Sequence, residues 1–343
     1  MSAEAQTAGA AAISDEPTVA AAPAIAARLF GWMMLALMGA YLLNVILTFW
    51  VGLPGIGPIL GWQGNGDGGI VLSILQALIY LALPAFAYWR VTKTRDRTLR
   101  QDATQISDGN AFFIRACFWI VFLVGLTDAA VSFMRVEGLL EVYFGEEMAG
   151  DLGRSQFRGP VVHVPVALLG VLIASVTRSL GFHWLALLVV FAELIIVFSR
   201  FIFSYEQAFM ADLVRFWYGA LFLFASAYTL LDDGHVRVDL FYAAFRRSKK
   251  GQVNGWGAIL LGIPLCWTIL LVGMWSKSSA IVAPILVFEV TQAGFGMYVK
   301  YLMAAFLGVF AISMMIQFVS QFLDAVADRR GEPGGHEPHP EMM

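Results

Sequence analysis

Eight long apolar runs constrain the fold of this chain more than any other feature. Each holds roughly 20 mostly apolar residues, the length that an α-helix needs to cross a bilayer. The runs cover residues 28–51, 70–89, 112–133, 161–176, 183–199, 213–231, 256–275 and 297–323. Because backbone polar groups in lipid must be satisfied within the segment, each run predicts a transmembrane helix. We therefore expect an all-α integral membrane protein with about eight spans.

The composition supports lipid as the solvent. Apolar residues make up 59% of the chain and charged residues 14%, against roughly 45–50% and 25% in soluble domains. The net charge of −3 provides no basic field for nucleic acid. The two cysteines lack a metal-binding or haem-attachment spacing. We expect no metal and no cofactor.

Basic residues predict the orientation in the membrane. They concentrate in the segments that follow the second, fourth, sixth and eighth runs, whereas residues 52–69 between the first two runs contain no Lys or Arg. Lys and Arg accumulate on the cytoplasmic side of membrane proteins. With an even number of spans, both termini are expected in the cytoplasm. Residues 1–24 and 326–343 are predicted to be disordered cytoplasmic tails.

Two acids lie within the apolar runs, Asp128 in the third and Glu193 in the fifth. Ionisable groups inside spans are candidates for function. For both residues we favour structural pairing or hydrogen bonding within the bundle. The alternative for Glu193 is a contact with another subunit. The chain has no Gly-x-Ser-x-Gly motif and no pair of His residues within a span. We therefore expect no enzymatic activity and no catalytic residue.

A basic amphipathic segment follows the sixth run. Written as a helix from Asp233, it places Val238, Phe241, Tyr242 and Phe245 on one apolar face. Arg and Lys residues follow at 246–250. Such a helix lies on the cytoplasmic membrane surface. It serves either as a lipid anchor or as a docking helix for a partner membrane subunit.

Residues 183–323 resemble the small, DctQ-like membrane subunit of tripartite ATP-independent periplasmic (TRAP) transporters, in the mannitol/chloroaromatic branch. The resemblance rests on the turn Ser199-Arg200-Phe201-Ile202-Phe203-Ser204 and on the string His235-Val236-Arg237-Val238-Asp239, which Phe241 and Tyr242 follow. It covers under half of the chain. The sequence departs from the family pattern around Glu289. The acid that the family has in the outer turn between its first two spans aligns to either Glu206 or Asp212.

The resemblance implies a non-catalytic subunit of a sodium-coupled uptake system for organic acids or related solutes, in the bacterial inner membrane. The implied partners are the large permease subunit, a periplasmic solute-binding protein and membrane lipids. Residues 25–182 would be a four-span N-terminal extension, and residues 183–325 the small-subunit domain. The expected contacts with the large subunit are His235, Arg237, Asp239, Phe241, Tyr242 and Glu193. Those with the binding protein are Arg200, Glu206, Asp212, Lys277 and Glu289.

One alternative from another functional class stays open at this point. The eight spans could form a self-contained carrier or channel, in which Asp128 and Glu193 would handle ions. That alternative predicts transport by this chain alone.

Overall fold

A computed structural model describes most of the chain as helix. The described residues are 24–62, 69–178, 182–205, 208–231, 242, 244–290 and 296–334. Eight of their helices are long and apolar enough to cross a membrane, and no β-strand occurs among them. This confirms the predicted all-α, multi-pass membrane fold. Residues 1–23, most of the predicted amphipathic segment and residues 335–343 lie outside the described part.

In chain order, the described residues form ten α-helices, two of which include a π-helical turn. They are α1 (Ile25–Phe49), α2 (Ile70–Lys93), α3 (Leu99–Val136), α4 (Leu139–Leu152), α5 (Ser155–Val176), α6 (Phe182–Phe203), α7 (Ala208–Leu231), α8 (Arg247–Met274), α9 (Val282–Leu286) and α10 (Lys300–Arg329). All except α4 and α9 are spans. Because α10 continues to Arg329, residues 326–329 are helical, and the tail predicted from residue 326 was placed too early.

The third span is much longer than predicted, because its first three turns are polar. It begins at Leu99 and not at residue 112. Thr98 caps it, since its hydroxyl accepts a hydrogen bond from the Gln101 N–H while the Gln101 side chain accepts one from the Thr98 N–H. This reciprocal pair satisfies two N–H groups at the helix start. Apolar length alone therefore underestimates this helix.

Two spans contain a π-helical turn placed just before a proline. The turns are Gly159–His163 in α5 and Ala258–Gly262 in α8, and they end two residues before Pro165 and Pro264. Proline removes one backbone donor and crowds the preceding turn. A wider turn accommodates this while the span continues. Both helices thus cross the membrane despite their prolines.

Helices α3 and α10 form the centre of the bundle. They pack against each other, and α1, α5, α7 and α8 pack around them, while α2 contacts α1 and α6 contacts α7. Half of the most apolar 18-residue stretch of α3 is buried inside the protein, whereas only 11% of the corresponding stretch of α6 is buried. The predicted N-terminal extension and the small-subunit region therefore share one core, because each supplies one of the two central helices.

Polar side chains cross-link this core. Asn110 of α3 donates to the Ser313 carbonyl at 3.0 Å and to Gln317 Oε1 at 3.3 Å, and the Ser320 hydroxyl donates to the Ala103 carbonyl at 2.9 Å. Interhelical hydrogen bonds of this kind hold spans together where lipid provides no hydrophobic drive. They fix the register between α3 and α10.

Buried ion pairs tie the end of the bundle at which α2 finishes and α3 begins, here called the basic end. Arg28 Nε donates to Asp102 Oδ2 at 2.7 Å, and its other nitrogens donate to Thr94. Trp32 Nε1 donates to the same carboxylate at 3.0 Å. Asp102 thus joins α1, the α2–α3 turn and α3. The other end of the bundle is here called the opposite end.

Candidate functional site

A buried cluster around Asp128 is the most elaborate polar arrangement among the described residues. Asp128 lies on α3, about 12 Å from the end of that helix, and is fully buried. Its Oδ1 accepts a hydrogen bond from Arg158 Nη1 at 2.9 Å and lies 3.0 Å from His163 Nε2. Its Oδ2 accepts one from the Tyr298 N–H at 2.7 Å. Both carboxylate oxygens are therefore engaged.

The π turn of α5 brings the two basic partners together. Arg158 and His163 are five residues apart, and the wider turn between them places both on the side that faces Asp128. Arg158 Nε donates to the Leu152 carbonyl at 2.9 Å. His163 Nδ1 lies 2.7 Å from the Tyr301 hydroxyl. The cluster therefore joins α3, α5 and α10.

The Tyr298 ring closes the cluster at the opposite end. The guanidinium carbons of Arg158 and Arg135 lie 4.2 and 4.6 Å from its centroid, which is within the range of cation–π attraction. Arg135 also donates to the Tyr298 hydroxyl, and that hydroxyl donates to the Gly153 carbonyl at 2.8 Å. The segment that leads into α10 is fixed by these contacts.

Asp128 and Arg158 form a buried ion pair. Neither side chain has exposed surface, and the carboxylate is contacted by Arg158, His163 and the Tyr298 N–H. The pairing expected for Asp128 is confirmed. Across the described part of the chain, no group of three or more His, Cys, Asp or Glu side chains is placed to hold a metal ion.

Glu193 has the opposite environment. It lies near the middle of α6, about 16 Å from either end, and is exposed. Its neighbours Val190, Leu194 and Val197 are 55%, 46% and 45% exposed. No hydrogen bond or ion pair to its carboxylate occurs among the described residues. The pairing within the bundle that we favoured for Glu193 is wrong, because α6 turns this side chain away from α7.

Four of the residues predicted to meet a binding protein, namely Arg200, Asp212, Lys277 and Glu289, lie at the opposite end of the bundle. Arg200 and Lys277 are exposed, and Asp212 is half-buried and accepts a hydrogen bond from the Met297 N–H at 3.1 Å. Glu289 pairs with Lys300 at 2.5 Å. Glu206 lies outside the described residues. Asp212 and Glu289 thus have structural partners, and their predicted contact with another protein stays a prediction.

The acidic segment 134–160, which connects the third and fourth apolar runs, is largely helical. It forms α4, in which Gly145 has a φ of +79° and introduces a kink. At the junction of α3 and α4, Glu137 accepts a hydrogen bond from the Tyr205 hydroxyl. This bond to a carboxylate raises the pKa of the Tyr205 phenol. The contact links the α3–α4 junction to the α6–α7 turn.

The predicted docking segment is described only at its end. His235, Arg237, Asp239 and Phe241 lie outside the described residues. The Tyr242 hydroxyl donates to Asn254 Oδ1 at 3.0 Å. Residues 247–250 form the first turn of α8 and not part of a separate surface helix. The docking role of the segment stays a prediction.

Sequence reasoning missed the partners of the buried acids. Arg158 lies between the third and fourth predicted runs, His163 lies near the start of the fourth, and Arg28 and Asp102 belong to no predicted site. One signal was available, because acids within spans are usually paired. It does not identify the partner, which for Asp128 is 30 residues away on another helix.

Comparison with known proteins assigns no family. No protein-family model, no curated protein and no solved structure matches this chain.

Proposed function

We propose that this chain is the non-catalytic small permease subunit of a sodium-coupled TRAP uptake system for organic acids or related solutes. It would lie in the bacterial inner membrane with both termini in the cytoplasm. Its partners would be the large permease subunit and a periplasmic solute-binding protein. The family assignment rests on the sequence resemblance over residues 183–323, and the role as a scaffold rests on the architecture.

The enclosure of Asp128 is the observation that carries the scaffold role. A carrier that used Asp128 to bind an ion would need that carboxylate within reach of the ion, whereas both of its oxygens are engaged by protein donors. The same contacts tie α3, α5 and α10 into one unit. A rigid unit suits the part of an elevator transporter that stays still while another subunit moves.

The cross-links at the two ends of the bundle add to this argument. Asp102 joins α1 to α3 at the basic end, and Asp128 joins α3 to α5 and to the segment before α10 at the opposite end. Buried charge pairs are costly to separate once one partner is removed. A bundle with such pairs at both ends resists sliding of one helix past another. We therefore expect the N-terminal spans to widen the fixed scaffold.

Purification from the native membrane tests this function. The full chain, tagged and extracted in a gentle detergent, should elute with a large multi-span permease in stoichiometric amount. Liposomes that contain both chains should take up solute only with sodium and the binding protein, and liposomes with this chain alone should not. Sodium-driven transport by this chain alone would favour the self-contained carrier and overturn the proposal.

A further inference from the structure

We infer that the exposed face of α6 around Glu193 binds a transmembrane helix of a different protein, and that this helix carries a basic residue at the depth of Glu193. The inference deepens the proposed function and rests on it only for the identity of that protein. The evidence for it is the position of the Glu193 carboxylate and the residues that surround it.

Glu193 lies deep in the membrane-spanning part of the protein. It lies near the midpoint of a 22-residue span, where water is not at hand to solvate a carboxyl group. Asp128, the other acid inside an apolar run, is surrounded by donors from three parts of the chain. Glu193 has none among the described residues. Ionisable groups at this depth almost always face a bundle interior or a polar partner.

The face of α6 that carries Glu193 is apolar and, among the described residues, unpacked. Helix α6 is the least buried span, and it packs against α7 through Leu185 and Ala192. On the other side, Val190 and Val197 lie one turn before and after Glu193, and both are about half exposed. An apolar helix with one central acid is suited to an apolar helix with one central donor. Such a contact removes both polar groups from lipid.

The charge of Glu193 favours a different protein, and not a second copy of this chain, as the partner of α6. A cyclic dimer in a membrane has its axis along the membrane normal, so two α6 helices in contact would present Glu193 to Glu193 at equal depth. Two carboxyl groups at one site cannot both stay ionised, whereas a basic residue can neutralise a single ionised carboxylate. Arg215, an exposed cation on the neighbouring helix α7, lies 3.6 Å from Asp212 of the same chain. Charge complementarity therefore favours a basic partner helix from another chain.

Site-specific photo-crosslinking in the native membrane tests this inference. A benzophenone amino acid at Val190 or at Val197 should form an adduct with one membrane protein. The cross-linked peptide should belong to a spanning helix that contains Lys, Arg or His. The same probe at Leu81 of α2, which is 67% exposed, serves as the control for random collision and should not give this adduct.

Charge variants give the second readout. Glu193→Leu and Glu193→Lys should lower recovery of the cross-linked protein by roughly threefold to thirtyfold, the range that interhelical polar contacts produce in bilayers. Glu146→Leu, which removes an exposed carboxylate from α4, should leave recovery unchanged. Exchange of the partner's basic residue for Glu should restore recovery with Glu193→Lys. The thermal stability of the purified chain should not fall in Glu193→Leu, because its carboxylate has no partner within this chain.

Three results would overturn the inference: an adduct with a second copy of this chain, no protein adduct from either position, or unchanged recovery in Glu193→Lys. Its failure is distinguishable from that of the proposed function. A large permease that is the cross-linked protein but co-elutes equally well with every Glu193 variant would refute the inference and leave the function standing. A cross-linked basic helix from a protein other than a permease would do the reverse.

Discussion

At the scale of single residues, Asp128 is the position where a small change has the largest expected effect. Asp128→Asn removes the negative charge but keeps the size, so Arg158 is left as a buried and unpaired cation. Loss of one partner from a buried ion pair costs about 3–5 kcal/mol. We expect a large drop in the unfolding temperature of the purified chain, measured by size-exclusion chromatography after heating.

Two further variants make this experiment specific. Asp108→Asn, in an exposed position of the same helix, should change the unfolding temperature little. The double variant Asp128→Leu with Arg158→Met should recover much of the loss, because it removes both charges together. Full stability in Asp128→Asn would show that the pair does not hold the bundle together.

At the scale of helices, the crossing of α8 and α10 depends on a missing side chain. A Cβ on Gly251 would lie 2.5 Å from the Ala325 carbonyl oxygen and 2.9 Å from the Arg329 nitrogen, and backbone cannot move aside as a side chain can. We expect Gly251→Ala to destabilise the protein by about 1–3 kcal/mol through overpacking. Thermal unfolding in detergent measures this loss.

Gly257, on the same helix, provides the matched control. A Cβ there meets nothing within 4 Å, and alanine is a better helix former than glycine by up to about 1 kcal/mol. Gly257→Ala should therefore leave stability unchanged or raise it. Equal losses in the two variants would mean that glycine at these positions serves the helix itself and not the crossing with α10.

At the scale of the whole molecule, the two halves of the chain are interdependent. Residues 183–343 expressed alone lack α3, the central partner of α10. They would expose polar groups such as Gln317 and Ser320 that are buried in the intact bundle. We expect this fragment to be degraded, and co-expression with residues 1–182 to restore it. Immunoblots of the membrane fraction measure both outcomes. A stable isolated fragment would instead make the first four spans a separable addition.

The sequence was sufficient to predict the spans but not their contacts. Apolar run length identified all eight membrane-spanning helices, because the bilayer imposes that length on each span separately. It missed the polar start of α3, which depends on the local cap at Thr98. Asp128 and Glu193 look alike in the sequence, since each is one acid in an apolar run. Their opposite environments arise from the packing of α5 and α6, which no local pattern records.

The Asp128 cluster also has a consequence for the synthesis of the protein. Its members enter the membrane at three different times, because Asp128 is made first, Arg158 and His163 follow some 30 residues later, and Tyr298 and Tyr301 come near the end of the chain. Until that last segment is inserted, Asp128 Oδ2 lacks its backbone donor and the Tyr298 ring does not cover Arg158. A chain that stops short of Tyr298 therefore leaves the Asp128–Arg158 pair incompletely enclosed within the bilayer, so we expect the last span to complete the bundle only once the earlier spans are in place.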